Sequence, residues 1–245
     1  MMRVAIFGSQ GRMGRQVAQA VTAAPDLELV AGIDRDDPRD PALKAQLAVD
    51  FTHPDVVMDN IAWCLEHGLH LVVGTTGLTA ERLDQIRAQL AAHPGLGVVT
   101  APNYAIGAVL MTHFARLAAP HFESAEIIEL HHPQKADAPS GTARQTAQLM
   151  AAARAQAGLG PQPDATTHAV DGARGADIDG IRVHALRLSG LVATQEVHLA
   201  SPGETLTLRD DARDRSCFMP GVLAAIRWAP DHPGLTVGLE PILGL

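Results

Sequence analysis

Cysteine is almost absent from this sequence, since Cys64 and Cys217 are the only two among 245 residues. Two cysteines cannot form the disulfide framework of a small secreted domain, and neither belongs to a C-x-x-C pair or a metal-ligand pattern. Both are therefore predicted to be reduced structural thiols, and no metal site is expected. Aromatic residues make up only 3% of the chain, so its core must consist mainly of small aliphatic residues. Such a core favours helices packed on a parallel sheet.

Clusters of basic residues are also missing, and the formal net charge is -8. A protein that binds nucleic acid or an anionic membrane concentrates positive charge, so neither is expected as a partner. No apolar run reaches the roughly 20 residues that span a bilayer, and the N-terminus has no signal-peptide pattern. We therefore expect a soluble, cytoplasmic protein.

A glycine-rich turn joins the first predicted strand, residues 3–7, to the first predicted helix, residues 15–24. Glycines permit a tight turn and let the backbone approach a pyrophosphate at the helix N-terminus. The spacing G-x-x-G-x-x-G is looser than the usual G-x-G-x-x-G and, taken alone, fits an ordinary turn equally well. The residues predicted here to bind a dinucleotide are Gly8, Ser9, Gln10, Gly11, Arg12 and Met13.

The end of the second predicted strand supports a nucleotide site. Residues 27–33 lead into Asp34, twenty positions after Gly14, where a carboxylate would bind the adenosine ribose hydroxyls. Arg35 follows directly, and its guanidinium, like that of Arg12, could instead meet the 2′-phosphate of NADP. The pattern does not choose between the two cofactors, and we predict use of both NADH and NADPH.

Strands and helices alternate regularly up to residue 100, which predicts a doubly wound parallel sheet. Ligands of such sheets bind beyond the carboxyl ends of the strands. Three short polar segments follow predicted strand ends, and each alone could be ordinary turn chemistry. They are Asp50-Phe51-Thr52, Gly74-Thr75-Thr76 and Ala101-Pro102-Asn103-Tyr104, and the last two are predicted to contact the nicotinamide half of the cofactor.

The pattern changes after Tyr104, where helices are predicted at 106–119 and 141–156 around a strand at 125–131. Period-two patterning then predicts a mainly antiparallel sheet from three segments, 181–189, 192–199 and 205–208. A last helix and strand would return the chain to the first domain. We therefore predict an α/β protein with a Rossmann-type dinucleotide-binding domain and a second α+β domain for substrate binding and oligomerisation. The predicted bounds are 1–104, rejoined by 216–245, for the first domain and 105–215 for the second.

The reactive side chains concentrate between Glu129 and Ala143, in the sequence E-L-H-H-P-Q-K-A-D-A-P-S-G-T-A. Histidines exchange protons near neutral pH, Lys135 supplies a positive charge, and the Ser-Gly-Thr turn opens a helix whose free N–H groups attract anions. On a strand, His131 and His132 would point to opposite faces, so one of them could be structural. The segment predicts a pocket for a substrate that carries carboxylates.

Six segments together resemble the 4-hydroxy-tetrahydrodipicolinate reductase family, formerly called dihydrodipicolinate reductases. They are G-S-Q-G-R-M-G, V-D-F-T, V-G-T-T-G, A-P-N-Y-A-I-G, the fifteen residues from Glu129, and S-G-L-V-A-T-Q-E-V. The resemblance implies NAD(P)H-dependent reduction of 4-hydroxy-tetrahydrodipicolinate to tetrahydrodipicolinate in the diaminopimelate branch of lysine synthesis. It also implies a homotetramer assembled through the sheets of the second domain.

The same resemblance implies roles for single residues. His131 would be the proton donor or acceptor, and Lys135 a proton donor that also holds the substrate. The expected contacts with the substrate carboxylates are His132, Gly141 and Thr142. Two positions depart from the family pattern: Thr194 stands where a histidine is common, and Tyr104 replaces a phenylalanine. Thr194 is expected to alter cleft lining or subunit packing, or else to weaken substrate binding.

Two other functions share parts of this pattern. A different Rossmann enzyme, acting on an aldehyde or an amino acid, would usually need a nucleophilic cysteine or another acid, and neither Cys64 nor Cys217 lies in such a motif. A non-catalytic nucleotide-binding relative would be expected to lose His131, Lys135 or the Ser-Gly-Thr turn, and all three are present.

Overall fold

The computed structural model describes all residues 1–245, and they form two compact units. Unit 1 comprises Met1–Ile106 and Arg215–Leu245, and unit 2 comprises Gly107–Asp214. These limits lie within two residues of the domain bounds predicted from the sequence. None of the helices combines the length and the apolar character that a membrane span requires.

Unit 1 is built on a sheet in which every neighbouring pair of strands is parallel. All residues of the third and fifth strands are buried, as expected for strands covered on both faces. The predicted Rossmann-type parallel sheet is therefore confirmed. The strands are β1 (Met2–Phe7), β2 (Leu27–Ile33), β3 (Leu47–Asp50), β4 (His70–Val73), β5 (Gly97–Thr100) and β11 (Gly234–Val237), in the order β11-β5-β4-β3-β1-β2.

The longer helices of unit 1 each bury one face, whereas the last helix, of four residues, has no buried residue. Helix α1 buries Gly14, Val17 and Val21, which the helical repeat places on one side. It begins at Arg12, three residues earlier than predicted, because the extended backbone of Gly11 already forms the N-cap. The helices are α1 (Arg12–Ala23), α2 (Val57–Glu66), α3 (Ala80–Leu90), α6 (Met219–Trp228) and α7 (Glu240–Leu243).

Unit 2 combines two helices with a five-stranded sheet. Three of its four strand pairs are antiparallel, which confirms the mainly antiparallel prediction, but β6 and β8 pair in parallel. Strands β8 and β9 follow each other in the chain without being neighbours, because β6 lies between them. The elements are α4 (Ile106–Ala118), β6 (Ser124–His131), α5 (Gly141–Gln156), β7 (Ala176–Ile178), β8 (Ile181–Arg187), β9 (Ala193–Ser201) and β10 (Glu204–Ala212).

The sheet of unit 2 has two chemically different faces. Its inner face packs Ile127, Val183 and Val197 into one core with Met111 of α4 and Met150 of α5. The alternate residues form the outer face, which is half-buried or exposed except at the buried Thr194. The outer face consists of Glu126, Ile128, Leu130, Arg182, His184, Leu186, Thr194, Glu196, His198, Thr207, Arg209 and Asp211 by strand register.

Candidate active site

The glycine turn after β1 brings three pieces of backbone close together. Gly8 has a φ angle of +80°, and a Cβ atom there would lie 2.5 Å from the carbonyl oxygen of Phe51. Gly14, on the buried side of α1, faces the carbonyl oxygen of Gly8, which a Cβ atom would approach to 2.0 Å. Because neither position has room for a side chain, α1 starts directly against the end of β1.

The N-terminus of α1 has the properties of an anion site. Its N-cap, Gly11, has no side chain that could accept hydrogen bonds from the first turn, and that turn contains no acidic residue. The backbone N–H groups of the first turn are therefore suited to the oxygens of a pyrophosphate. Gln10 and Arg12 beside it are exposed, whereas Ser9 and Met13 are half-buried. The residues present fit the dinucleotide predicted for this turn.

Asp34, which follows β2, faces the glycine turn as predicted. Its carboxylate accepts hydrogen bonds from the Ser9 hydroxyl at 2.6 Å and from the Gln10 N–H at 3.2 Å. Asp34 lines a cavity of about 360 Å³ next to the glycine turn. Arg35 is exposed beside it and lines the same cavity. Arg39 also lines this cavity, and its guanidinium lies 6.0 Å from the ring centroid of Trp63. Arg39 was not predicted from the sequence, because no local motif marks it.

A buried carboxylate organises the strand ends next to the glycine turn. Asp50, the last residue of β3, is fully buried and accepts hydrogen bonds from the Thr75 hydroxyl at 2.6 Å and from the Asn60 amide at 2.8 Å. It also accepts from the backbone N–H and the hydroxyl of Thr52, at 3.0 and 2.8 Å. Asp50 thus ties the loops after β3 and β4 to helix α2.

The two segments predicted to contact the nicotinamide half lie after β4 and β5. Gly74 has no room for a side chain, since a Cβ atom would lie 2.1 Å from the Phe51 ring. Tyr104 is buried and donates its hydroxyl to the Val73 carbonyl at 2.8 Å, and burial raises the pKa of this phenol. This bond satisfies the hydroxyl group that distinguishes Tyr104 from the phenylalanine of the family pattern. The remaining positions are Thr75, buried; Ala101 and Asn103, half-buried; and Thr76 and Pro102, exposed.

In unit 2, a fully buried carboxylate at Glu129 gathers charged groups at the end of β6. Its Oε2 lies 2.6 Å from His131 Nδ1, and Arg187 of β8 donates to its two oxygens at 2.9 and 2.8 Å. The Ser140 N–H donates to Oε1 at 3.1 Å. Burial raises the pKa of Glu129, but the hydrogen bonds from His131 and Arg187 outweigh it and lower the pKa below its usual value.

The loop that follows β6 is tied to the same group. Lys135 Nζ donates to Asp137 Oδ1 at 2.7 Å, and this hydrogen bond is the main reason why the pKa of Asp137 is lowered. The backbone carbonyl of Asp137 in turn accepts from Arg187 Nη2 at 2.7 Å. Arg187 therefore connects the lysine-bearing loop to the carboxylate beside His131.

Helix α5 begins where this loop ends. Ser140 is its N-cap and accepts a hydrogen bond from the Ala143 N–H at 3.2 Å. Gly141 is exposed, with no heavy atom within 4 Å of the place a Cβ atom would take, while Thr142 is half-buried. The first turn contains no acidic residue, so its N–H groups and the helix dipole favour an anion here.

Two polar atoms near this group are buried without a hydrogen-bond partner, His132 Nδ1 and Gln195 Oε1. Gln195 lies opposite Glu129 in the β6–β9 register, and its amide nitrogen donates to the Thr146 hydroxyl at 3.0 Å. Unpaired buried polar atoms are unusual and are suited to a ligand. Thr194 belongs to the outer face instead, where its hydroxyl donates to Asp211 Oδ1 at 2.8 Å.

The structure thus brings His131, Lys135 and the start of α5 into one network, as the sequence predicted. Glu129 and Arg187, which hold the network together, were missed. Glu129 lies inside the predicted segment but looks like an ordinary strand residue, and Arg187 lies 58 positions further along the chain. Chemically, the network offers a histidine suited to proton exchange, an ammonium group held by Asp137 and a helix start suited to an anion.

The parallel sheet and the glycine turn are those of a class of protein, the Rossmann-type oxidoreductases that use a pyridine nucleotide. Residues 2–104 match the family model described as dihydrodipicolinate reductase, N-terminus, and residues 107–243 match the one described as dihydrodipicolinate reductase, C-terminus. The chain therefore belongs to the dihydrodipicolinate reductase family.

Full-length relatives agree with this assignment. The 4-hydroxy-tetrahydrodipicolinate reductase of Thermobifida fusca (strain YX) is 60% identical over 246 residues, and that of Cutibacterium acnes is 57% identical over 245 residues, each covering 100% of both chains. The solved structure of the dipicolinate-bound dihydrodipicolinate reductase from Paenisporosarcina sp. TG-14 is 38% identical, covers 99% of both chains and gives a TM-score of 0.88. The predicted family and the predicted NAD(P)H-dependent reductase function are confirmed.

Proposed function

We propose that this chain divides the family's reaction between its units. Unit 1 binds NADH or NADPH, and unit 2 binds 4-hydroxy-tetrahydrodipicolinate, a dicarboxylate, and supplies the proton that completes its reduction. The observation that carries this proposal is the network of His131, Lys135 and the start of α5 around Glu129 and Arg187. A relative whose solved structure has dipicolinate bound, also a dicarboxylate, supports the substrate class.

In unit 1, the pyrophosphate of the nucleotide would rest on residues 8–13, where the α1 N–H groups have no side-chain acceptor. Asp34 would bind the ribose hydroxyls, and Arg35 together with Arg12 would accommodate a 2′-phosphate. The segments 74–76 and 101–104 would contact the nicotinamide half. When bound, the nicotinamide supplies the hydride.

In unit 2, His132, Gly141 and Thr142 would hold the substrate carboxylates. The unpartnered His132 Nδ1 and the free space around the Cβ position of Gly141 support this role. Lys135 lies in the loop that joins His132 to Gly141, and its ammonium group would add a positive charge beside the substrate carboxylates. Its side chain is 22% exposed. Charge-assisted hydrogen bonds of this kind are about twice as strong as neutral ones and fix the orientation of a carboxylate.

The proton would come from His131 or Lys135. The substrate must first lose its 4-hydroxyl group as water, which gives a conjugated cyclic imine. Addition of hydride to this imine leaves an enamine, which must gain a proton at the neighbouring carbon. His131 is partly accessible, at 15% exposure, while its Nδ1 is engaged with Glu129. A well-placed general acid typically contributes about 10²–10⁴-fold to the rate.

We also propose that the chain forms a homotetramer through the outer face of the unit 2 sheet and that it acts in the cytoplasm. The outer face carries Ile128 and Leu130, both half-buried, and Leu186, which is 37% exposed. Apolar residues on an otherwise polar sheet face are typical of a protein–protein contact. The paired charges between them would set the register of two copies.

The experiment that tests the reaction is the oxidation of NADH and NADPH at 340 nm, with the substrate generated in situ by the preceding synthase from pyruvate and aspartate semialdehyde. We expect turnover with both nucleotides, and kcat/KM values that differ by less than about a thousandfold, or about 4 kcal/mol. Controls omit one component each. Nucleotide binding without oxidation in the complete mixture would favour a non-catalytic relative, and a larger preference would contradict dual use.

A further inference from the structure

Glu129 is a carboxylate without exposed surface on which donors from three segments converge. His131 of β6 contributes Nδ1 at 2.6 Å, Arg187 of β8 contributes two guanidinium nitrogens, and Ser140 contributes the backbone N–H just before α5. An ionised carboxylate can only accept hydrogen bonds. Its contacts therefore constrain a side chain, a neighbouring strand and a helix start at once.

The contact with His131 determines which ring nitrogen exchanges protons. Because Oε2 of Glu129 accepts, Nδ1 must carry a hydrogen, and Nε2 is the nitrogen that gains or releases a proton. The other neutral tautomer would set the Nδ1 lone pair against the carboxylate, which is unfavourable in a buried environment. The carboxylate thus selects the tautomer that a proton donor and acceptor needs.

Arg187 keeps the carboxylate ionised and extends its influence to the lysine loop. It donates to both oxygens of Glu129, and its Nη2 also donates to the carbonyl of Asp137 at 2.7 Å. The side chain of Asp137 accepts from Lys135 Nζ at 2.7 Å. The position of Lys135 therefore depends on the same ion pair as the orientation of His131.

We propose that Glu129 is a positioning residue for proton transfer: it holds His131 with the proton on Nδ1 and, through Arg187, sets the loop that carries Lys135. This inference rests on the role of His131 in the proposed function. Glu129 itself need not touch the substrate, since it acts through the ring and the guanidinium that it binds.

The chain supplies a matched control three residues away. Glu126 lies on the same strand but on the outer face, where it also binds a histidine and an arginine, His184 at 2.7 Å and Arg174. Glu126→Gln therefore removes the same kind of charge from the same kind of contact, away from His131. Provided that light scattering gives the variant the same mass as the original chain, we expect its kcat to stay within about twofold, because Glu126 contacts neither His131 nor Arg187.

The test is a double-mutant cycle on the full chain with Glu129→Gln, His131→Gln and the pair, measured as kcat in the reductase assay. Alone, Glu129→Gln should lower kcat about 10–100-fold, as loss of a residue that orients a histidine does, without changing the Kd of NADH. In the His131→Gln background the loss should be at least about threefold smaller, because the route through His131 is gone and only the route through Arg187 to the Lys135 loop remains. Equal losses in both backgrounds would overturn the proposal.

Glu129→Asp covers the case in which Glu129→Gln does not fold. It keeps a negative charge for Arg187 but withdraws the carboxylate from His131 by one methylene group. We expect a folded protein with a lowered kcat that shows the same dependence on His131. A folded Glu129→Asp chain with undiminished kcat would contradict positioning.

A spectroscopic measurement separates this inference from the proposed function. In ¹⁵N-labelled protein without substrate, at a pH where the ring is neutral, the His131 signals are identified by their absence in His131→Gln. We expect the Nδ1–H tautomer in the original chain and in Glu126→Gln, and a shift toward Nε2–H in Glu129→Gln. This shift in a chain that reduces no substrate would refute the proposed function alone. An unchanged tautomer in an active enzyme would refute the role of Glu129.

Discussion

One buried carboxylate organises each site, Asp50 in unit 1 and Glu129 in unit 2. The two carboxylates differ in the groups that donate hydrogen bonds to them. Asp50 in unit 1 is fully buried and receives hydrogen bonds only from neutral donors, the hydroxyls and amides of Thr52, Asn60 and Thr75. Glu129 in unit 2 is equally buried but is paired with the guanidinium of Arg187. A buried carboxylate without such partners would cost several kcal/mol, so each residue fixes its surroundings by requiring these donors.

The stability contributed by Glu129 should depend on pH. Its pKa in the folded chain lies below the ordinary 4.5, so the contribution is fully present above about pH 4.5 and is lost as the pH falls through the lower folded value. We expect Glu129→Gln to reduce the free energy of unfolding at pH 7 by about 3 kcal/mol, as breaking a buried ion pair does. The difference from the original chain should shrink below pH 4.5. Urea unfolding between pH 7 and pH 3 measures it, and a difference independent of pH would exclude ionisation as its source.

Whether a contact between two residues of a site could be predicted depended on how far apart the two residues are in the sequence. Asp34 and the glycine turn were placed together correctly because one local motif contains both. Arg187 could not be found, since its partner Glu129 is 58 positions away and only the strand register joins them. The hydrogen bond between Thr75 and Asp50 spans 25 positions and could not be predicted from the sequence for the same reason.

At the scale of elements, the contact of α1 with the end of β1 determines the nucleotide site. The helix approaches so closely because Gly14 lacks a side chain toward the Gly8 carbonyl. Its N-terminus then lies beside the turn that ends at Gly11. The packing of α1 against the end of β1 therefore also places the helix N-terminus where an anion can bind.

Gly14→Ala should damage packing and nucleotide binding together. The new Cβ atom would lie 2.0 Å from the Gly8 carbonyl oxygen, so α1 must shift. We expect a loss of about 1–3 kcal/mol in unfolding free energy, typical of overpacking, and a tenfold or greater rise in the Kd of NADH. Gly95→Ala is the control, because nothing lies within 4 Å of its Cβ position. Fluorescence titration and urea unfolding give both values, and unchanged NADH binding in folded Gly14→Ala would contradict the proposed pyrophosphate site.

Elements with a strong periodic pattern were predicted within a few residues. Strand β6 and helix α5 agree closely with prediction because prolines and glycines separate them. Strand β7 and helix α7 escaped prediction, since three and four residues are too short to show a period. The parallel pairing of β6 with β8 was also missed, because pairing direction is a property of the whole sheet.

At the scale of the whole molecule, the outer face of the unit 2 sheet is the surface that relates one chain to another in the proposed tetramer. Ile128 lies at its centre, between His184 on β8 and Glu196 on β9. Glu196 binds His198 at 2.9 Å and also Arg209, so the charges around Ile128 are already paired. Because its charges are already paired and part of it is apolar, this face pays little free energy of desolvation when a second copy covers it.

Ile128→Glu should therefore dissociate the assembly without unfolding the chain. Light scattering is expected to give the mass of four chains for the original protein and a lower mass for the variant, because an unpaired carboxylate would be buried at the interface. Gln148→Glu, an exposed change on α5, is expected to keep the original mass. A single-chain mass for the original protein would refute the tetramer.

The charges of the unit 2 network cancel. Glu129 offsets Arg187, and Asp137 offsets Lys135, so a site proposed to hold a doubly charged anion has no formal net charge until His131 is protonated. Long-range attraction then contributes little to capture of the substrate, and affinity must come from short, directed hydrogen bonds. Such bonds are screened weakly by dissolved ions, so this enzyme is built to tolerate changes in ionic strength that would slow a reductase relying on a positively charged funnel.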